Sequence, residues 1–218
     1  MKGQGAIPNE DLLGDRLVKV VGKIERRLDA VSAYFVPGAQ GVKGFTKLEK
    51  RGVQVRILTN SLEATDVLPV HAGYAKRRGA LLKGGIELFE LRRQASTSAA
   101  KNKLGPFGSS GASLHAKTFA VNSQRIFVGS FNFDPRSATL NTEMGVMIDS
   151  KRLPTGVNQS FDKGFRGTAW QVKKRSGSLV WIEPDAPATP PLTAEPGTNI
   201  WRKALLKFIG WLPVEWLL

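Results

Sequence analysis

The sequence contains no cysteine, only two histidines and no long apolar run. The absence of thiols excludes disulfides, thiolate metal sites and a cysteine nucleophile, and two histidines argue against a histidine-rich metal site. No stretch reaches the roughly 18 uncharged apolar residues of a membrane-spanning helix. Residues 1–16 also lack the apolar core of a secretory signal peptide. We therefore expect a cytoplasmic or peripherally bound protein.

Acidic residues are also scarce relative to basic ones. The 218 residues include 32 Lys and Arg against 18 Asp and Glu, which gives a net charge of +14. A field of this sign attracts polyanions, whether nucleic acid, anionic lipid surfaces or phosphate esters in general. Charge alone does not distinguish among these partners.

Helical and strand-like patterns alternate along most of the chain. The predicted helices cover residues 11–28, 41–52, 67–83 and 157–168. The predicted strands cover residues 30–37, 53–59, 86–92, 114–121, 125–130 and 144–149, followed by a hairpin within 170–184. This alternation predicts an α/β fold with a mixed central β-sheet flanked by helices on both faces, and a site at the carboxyl ends of its parallel strands.

The predicted domain organisation is simple. Residues 1–183 form a single domain, residues 184–199 are rich in Pro, Thr and Ala and extended, and residues 200–218 form an apolar tail with early cations. That tail would either dock on the core or lie in a membrane interface. Inside the domain, residues 94–112 read as a basic loop, either a linker or part of the site that follows it.

The strongest chemical signal is the pair His115 and Lys117. At i and i+2 on a predicted strand, their side chains leave the same face of the sheet. An imidazole beside an ammonium suits a phosphate ester, because lysine neutralises non-bridging oxygens while the imidazole attacks phosphorus or transfers a proton.

The residues downstream of this pair fit the same ligand. Gly129 permits a tight turn at a strand end, and Ser130 and Asn132 supply neutral donors to phosphate oxygens. Glu143 is placed to accept a hydrogen bond from one imidazole nitrogen and leave the other free. The second histidine of the chain, His71, lacks this context and is interpreted as a helix-surface or pocket-lining residue.

Together these residues resemble the signature of the phospholipase D superfamily, H-x-K-x4-D-x6-G-S-x-N. The positions that match in type and spacing are His115, Lys117, Gly129, Ser130 and Asn132, while Asn122 replaces the aspartate. Much of the chain, for example residues 33–38 and 52–66, looks like the C-terminal half of bacterial cardiolipin synthases. The aspartate position lies on a turn, so we expect Asn122 to keep a structural role at small cost.

The resemblance implies a phospholipase D-like fold and a two-step displacement without metal or other cofactor. One histidine forms a phosphohistidine, and a second histidine protonates the leaving alcohol and then activates water or an acceptor alcohol. By this carry-over His115 is the acid/base, Lys117, Ser130 and Asn132 bind phosphate, and Glu143 orients the imidazole. The implied substrate is an anionic phospholipid resembling phosphatidylglycerol, which places the protein in the cytoplasm or peripherally at the inner membrane.

The chain carries only one such motif. A homodimer could bring two copies of the motif together, or a missing N-terminal half could supply the second. An orphan half would expose the apolar surface that normally meets its partner. Three hypotheses stay open: a phosphodiesterase or phosphatidyltransferase, a single-motif nuclease acting on nucleic acid, and an inactive half that binds anionic membrane or a partner protein.

Overall fold

The protein is built on one mixed β-sheet with helices on both faces. A computed structural model describes residues 21–93, 113–135, 137, 143–186 and 188–211. Its strands are β1 (Arg27–Ser32), β2 (Gln54–Asn60), β3 (Glu87–Leu91), β4 (Lys117–Val121), β5 (Arg125–Gly129), β6 (Gly145–Asp149), β7 (Ala169–Arg175) and β8 (Ser178–Ile182). Its helices are α1 (Gly38–Lys50), α2 (Leu68–Lys83), α3 (Leu153–Asp162) and α4 (Ile200–Trp211). The predicted fold class is confirmed.

The sheet order is β6-β5-β4-β1-β2-β3-β7-β8. Strands β1, β2 and β3 run parallel, and the other neighbouring pairs are antiparallel. Consequently Lys117, the first residue of β4, pairs with Ser32, the last residue of β1, and Gly129 at the end of β5 pairs with Gly145 at the start of β6. We call this side of the sheet, which also carries the end of β2 at Asn60, the carboxyl edge.

Successive residues of the central strands point to opposite faces, and each face has its own core. On β2, Ile57 joins a cluster with Phe45 of α1 and Tyr74 of α2. Its neighbour Leu58 joins a second cluster with Phe161 of α3. Both faces of the central strands are therefore covered, which explains why consecutive residues such as Ile57 and Leu58 are both apolar and buried.

A charged pair lies between α3 and the sheet. The guanidinium of Arg56 donates two hydrogen bonds of 2.6 Å to the carboxylate of Asp29, and both residues are almost fully buried. Asn158 of α3 donates to the same carboxylate at 2.5 Å. This bidentate geometry compensates the loss of hydration that burying two charges requires, and it fixes α3 against β1 and β2.

Several predicted element bounds are wrong in an informative way. The predicted first helix ran to Leu28, but β1 already begins at Arg27; residues 11–20 of that prediction lie outside the described residues. The predicted helix at 157–168 is α3, which begins at Leu153 with Pro154 in its first turn and ends at Asp162. Gly164 and Gly167 have positive φ angles, a conformation that terminates helices.

The C-terminal elements lie against the rest of the fold. Leu192 exchanges backbone hydrogen bonds with Trp181 of β8, and α4 packs on α2. Across the described ranges, no helix combines the length and apolarity needed to cross a bilayer. The basic loop predicted at 94–112 and residues 212–218 of the predicted tail fall outside those ranges.

Candidate active site

His115 and Lys117 lie at the carboxyl edge, but only Lys117 is part of a strand. His115 precedes β4 by two residues and its side chain is exposed, whereas the sequence predicted it within the strand. The ammonium of Lys117 donates to the carbonyl of His115 at 3.2 Å and lies 5.9 Å from the ring centroid of Tyr34. The pair therefore faces solvent at the edge, with the lysine held beside an aromatic ring.

Asn60, at the end of β2, fixes the backbone just before His115. Its Oδ1 accepts the Leu114 N–H at 2.9 Å, and its Nδ2 donates to the Leu114 carbonyl at 3.3 Å. The same amide donates to the carbonyl of Ala33 at 3.2 Å. Asn60 is buried, so one side chain ties β1, β2 and the segment leading to His115 together.

The motif analysis did not single out Asn60. Its position was nevertheless visible in the sequence, because an asparagine that ends a buried parallel strand lies where sites of α/β sheets form. Tyr34 was missed as well, since an aromatic residue after an apolar strand reads as core. In the structure its hydroxyl lies 3.3 Å from the Asp66 carboxylate.

Gly129 and Ser130 turn the chain from β5 towards the site. A Cβ atom at position 129 would collide with the carbonyl oxygen of Met144, so only glycine permits this approach of β5 and β6. Ser130 accepts a hydrogen bond from the Met144 N–H at 2.9 Å on its hydroxyl, and its own N–H donates to the Met144 carbonyl at 2.8 Å. The Ser130 hydroxyl is thus fixed in place at the carboxyl edge.

Glu143 accepts a hydrogen bond from the Ser130 hydroxyl. The sequence led us to expect an imidazole as its partner, and within the described residues no hydrogen bond joins Glu143 to His115. A carboxylate bonded to the hydroxyl of Ser130 orients that hydroxyl and adds negative charge to the edge that carries the Lys117 ammonium. Glu143 therefore belongs to the same edge cluster by way of Ser130.

Asn132 is buried beside these residues, with 8% of its surface exposed. Its Oδ1 has no hydrogen-bond partner within the described residues. The following residue anchors this segment, because the Phe133 carbonyl accepts the Val36 N–H at 2.7 Å and the Phe133 N–H lies 3.4 Å from the Ser32 hydroxyl. A buried amide oxygen without a partner can still accept a hydrogen bond, and such an unsatisfied group is uncommon in a folded protein.

Asn122 lies at the opposite edge of the sheet, away from this cluster. It follows the last residue of β4, so about five residues at roughly 3.3 Å each separate it from Lys117. Its Oδ1 accepts the N–H groups of Glu25 and Arg26 at 2.9 and 3.0 Å, and its Nδ2 donates to the Lys23 carbonyl at 3.0 Å. The side chain therefore holds the segment that leads into β1.

His71 is buried on α2 rather than displayed on a helix surface. Its Nε2 lies 2.7 Å from Glu195, which also accepts a hydrogen bond of 2.5 Å from Arg78. Arg78 in turn pairs with Glu90 of β3 at 2.9 Å. Burial alone would raise the pKa of Glu195, but the hydrogen bond with His71 and the charge of Arg78 lower it to about 2.

This His71 network is separate from the His115 cluster and serves the fold. It ties the segment before α4 to α2 and β3, because Glu90 and Glu195 both pair with Arg78. Glu195 also contacts His71, and Glu90 also accepts hydrogen bonds from Tyr74 and Trp181. Within the ranges that the structure covers, no three His, Asp or Glu side chains converge in a way that would hold a metal ion.

Comparison with known proteins agrees with the fold and the motif. The family model described as cardiolipin synthase, PLD-like domain matches residues 17–165. Cardiolipin synthase C of Escherichia coli (strain K12) is 43% identical over 218 residues, which is 100% of this chain and 46% of that protein. Cardiolipin synthase B of the same strain is 28% identical over 62% of this chain and 28% of its own length. The chain thus spans less than half of these relatives.

Two solved structures share the fold at low identity. Nuc of Salmonella typhimurium, a phospholipase D family member, has a TM-score of 0.52 at 17% identity over 73% of this chain and 90% of its own. Phosphatidylserine synthase of Haemophilus influenzae has a TM-score of 0.58 at 15% identity over 94% of this chain and 44% of its own. The signature that begins at His115 and Lys117, known as the HKD motif, lies at the carboxyl edge of the sheet. Together with the family match, these similarities show that the chain belongs to the phospholipase D superfamily, in the family of cardiolipin synthase PLD-like domains.

Proposed function

We propose that this chain provides one half of a phospholipase D-type active site, in an enzyme that transfers or hydrolyses the phosphatidyl group of an anionic phospholipid resembling phosphatidylglycerol. The observation that carries the proposal is the convergence of His115, Lys117, Ser130 and Asn132 at one edge of the sheet. They lie at the start of β4 and at the end of β5, two consecutive antiparallel strands, and each offers a group that suits a phosphodiester.

Each side chain has a distinct task in this proposal. The Lys117 ammonium neutralises a non-bridging phosphate oxygen, and the Asn132 Nδ2 donates a hydrogen bond to the same phosphate. The Ser130 hydroxyl, which donates to Glu143 in the structure, turns to the phosphate when substrate binds. Within the described part of the chain, the unpartnered atom of Asn132 is its buried Oδ1, which can accept a hydrogen bond from a donor such as a substrate hydroxyl, whereas its Nδ2 is the group that would donate to the phosphate. The exposed His115 imidazole is accessible to substrate. Glu143 orients the Ser130 hydroxyl through their hydrogen bond.

The chemistry requires a second imidazole opposite the first. One imidazole nitrogen attacks phosphorus, the phosphorus–oxygen bond to the leaving alcohol breaks, and the other imidazolium gives that oxygen its proton. The now neutral imidazole then takes a proton from water or an acceptor alcohol, whose oxygen displaces the first histidine from phosphorus. In a homodimer, two copies of His115 would share these roles; in a longer protein, the second histidine would come from another half.

A surface for that second half lies next to the site. Four apolar side chains of the β5–β6 end of the sheet are exposed, namely Val128, Met144, Val146 and Ile148. Because β6 ends the strand order, these side chains border an unpaired strand within the described sheet. Exposed apolar patches of this kind mark interaction surfaces, and this one adjoins Ser130 through the Met144 backbone.

A nuclease is the second candidate function. It is favoured by the net charge of +14 and by the single HKD motif. The third possibility, an inactive half, differs from both because it predicts a monomer without turnover. These alternatives make different predictions for mass and substrate, so a single set of measurements separates them.

The test combines sedimentation with turnover of short-chain phosphatidylglycerol and of single- and double-stranded DNA. We expect a dimer that releases glycerol from phosphatidylglycerol, with phosphatidic acid or a diphosphatidyl product as the other product. We also expect a phosphohistidine adduct on His115 that survives quenching at alkaline pH and is lost in acid, because its P–N bond is acid-labile. His115→Ala should abolish turnover, whereas Lys173→Ala, which removes an exposed cation of β7, should not. Cleavage of DNA alone would favour the nuclease, and a monomer without any turnover or adduct would favour the inactive half.

A further inference from the structure

Helix α4 displays an apolar surface that the described fold leaves uncovered. Ile200 and Trp201 are 85% and 83% exposed, and Leu205 is 44% exposed. At about 100° per residue, these side chains and Ala204 fall within roughly 140° of the helix circumference. We call Ile200, Trp201, Ala204 and Leu205 the exposed α4 face.

The opposite side of α4 is the one that meets the protein. Arg202, Leu206 and Ile209 are partly buried, they lie within roughly 60° of one another, and α4 packs on α2. Apolar side chains on both sides indicate that the helix has two partners, of which the fold supplies one. The exposed Lys203 stands beside the exposed α4 face and adds positive charge to it.

The helix is firmly attached, so its exposed face has a defined direction. Asn199 caps α4 by accepting the Arg202 N–H on Oδ1 at 2.7 Å, and the Arg202 guanidinium donates to the Gly197 carbonyl at 3.2 Å. Two residues earlier, Glu195 is held by His71 and Arg78. These contacts distinguish α4 from a loose apolar tail.

A further contact places the start of α4 at the carboxyl edge. Gly197 packs so closely on Glu63 that a Cβ atom on the glycine would overlap the Glu63 backbone. Glu63 lies three residues after Asn60, the side chain that fixes the segment before His115. The exposed α4 face therefore begins on the side of the molecule that carries the candidate active site.

We propose that the exposed α4 face docks on an anionic phospholipid bilayer and presents the carboxyl edge to it. Trp and Ile beside Lys are the side chains that combine apolar insertion with attraction to anionic headgroups, and the net charge of the chain has the complementary sign. This inference deepens the proposed function, on which it rests for the lipid substrate, by naming the surface that brings the enzyme to it. A second protein is the competing occupant, and the measurements below separate the two.

The test is flotation of the full chain with vesicles of phosphatidylcholine, pure or mixed with phosphatidylglycerol. The protein should float with the mixed vesicles, and the double change Ile200→Ser with Trp201→Ser should weaken binding by about tenfold or more. Lys203→Glu should weaken binding to the mixed vesicles and should make the remaining binding less sensitive to added salt, because less of it is electrostatic. Leu153→Ser removes a similarly exposed apolar side chain from α3 and should leave binding unchanged.

Two outcomes would overturn the inference. Because both side chains are exposed, we expect the double variant to keep the wild-type melting temperature. One contrary outcome is then equal flotation of wild type and the double variant. The other is a loss of oligomeric mass in the double variant, which would assign the face to a protein partner. His115→Ala should bind vesicles as wild type does, so failure of the proposed catalysis and failure of this docking are observed separately.

Discussion

The side chain of Asn60 brackets the backbone of Leu114, accepting its N–H at 2.9 Å and meeting its carbonyl at 3.3 Å. Leu114 is itself fully buried, and His115 follows it with an exposed side chain. The transition from core to site is therefore made within one peptide unit, and a single amide of β2 determines where that unit lies.

We predict that Asn60→Ala lowers turnover more than the loss of stability explains. The change leaves the Leu114 N–H and carbonyl unpaired in a buried place, at a cost of about 1–3 kcal/mol in the free energy of unfolding. It also lets His115 move relative to Lys117, so kcat should fall while vesicle binding persists. Gln54→Ala, at the exposed start of the same strand, is the control. An unchanged kcat in Asn60→Ala would contradict the prediction that Asn60 positions His115.

Ser130→Ala should alter the site without unfolding the protein. The variant loses the hydrogen bond to Glu143 and the acceptor for the Met144 N–H. Because Ser130 is exposed, water replaces these partners and the free energy of unfolding should fall by only about 1 kcal/mol. Turnover should drop about tenfold or more if the hydroxyl binds phosphate. Ser160→Ala, at a partly exposed serine of α3 whose hydroxyl bonds the Gly156 carbonyl of its own helix, should affect neither property.

Asn122→Ala should reduce stability and spare the chemistry. Three hydrogen bonds to residues 23–26 are lost, and alanine tolerates the positive φ of 55° less well than asparagine does. We expect a loss of about 2–3 kcal/mol in denaturant unfolding. Asn122→Asp retains the acceptor oxygen for the Glu25 and Arg26 N–H groups and loses only the donor to the Lys23 carbonyl, so it should cost less. Gln124→Ala in the same turn should be nearly neutral, and kcat per folded molecule should be unchanged throughout.

The lowered pKa of Glu195 predicts acid sensitivity of the fold. Its pKa is about 2 in the folded protein against 4.5 for the free side chain. The stabilisation is therefore complete above about pH 4.5 and is lost as the pH falls towards 2, with a size of about 3 kcal/mol.

Glu195→Gln should flatten this part of the pH profile, as measured by the free energy of unfolding between pH 6 and pH 3. Glu25→Gln is the matched control. The pKa of Glu25 is also lowered, by its hydrogen bond to Lys23, but this pair is exposed and solvent screens its contribution to stability. That variant should follow the wild-type profile. A Glu195→Gln profile as steep as that of wild type would assign the acid sensitivity to other groups.

The sequence predicted the architecture well because the apolar segments have the lengths and periods of strands and helices and the breaks between them are chemically clear. The strands ending near Asn60 and Leu91 and the hairpin around Ser176 and Gly177 were recognised from such patterns. The start of β1 was missed because Leu28 also fits a helical repeat. What decides its conformation is pairing with Val55 and Val121, two residues distant in sequence.

The motif at 113–145 could be read directly, since spacing within one signature is a local property. The partners of its members could not, because they depend on which strand ends become neighbours. Asn60 reaches Leu114 across 54 residues, and His71 reaches Glu195 across 124. Such contacts follow from strand order and from the path of the chain after β8, neither of which hydrophobic periodicity encodes.

The shared use of Arg78 by Glu90 and Glu195 has a consequence for biosynthesis. Those two carboxylates are 105 positions apart, so at about 5–20 residues per second the second emerges from the ribosome roughly 5–20 s after the first. During that interval Arg78 can pair with Glu90 but not with Glu195, and His71 lacks its Glu195 partner. The nascent α2–β3 unit therefore lacks its second carboxylate until the segment that carries Glu195 has been synthesised, so this network closes only after the central strands are available for pairing.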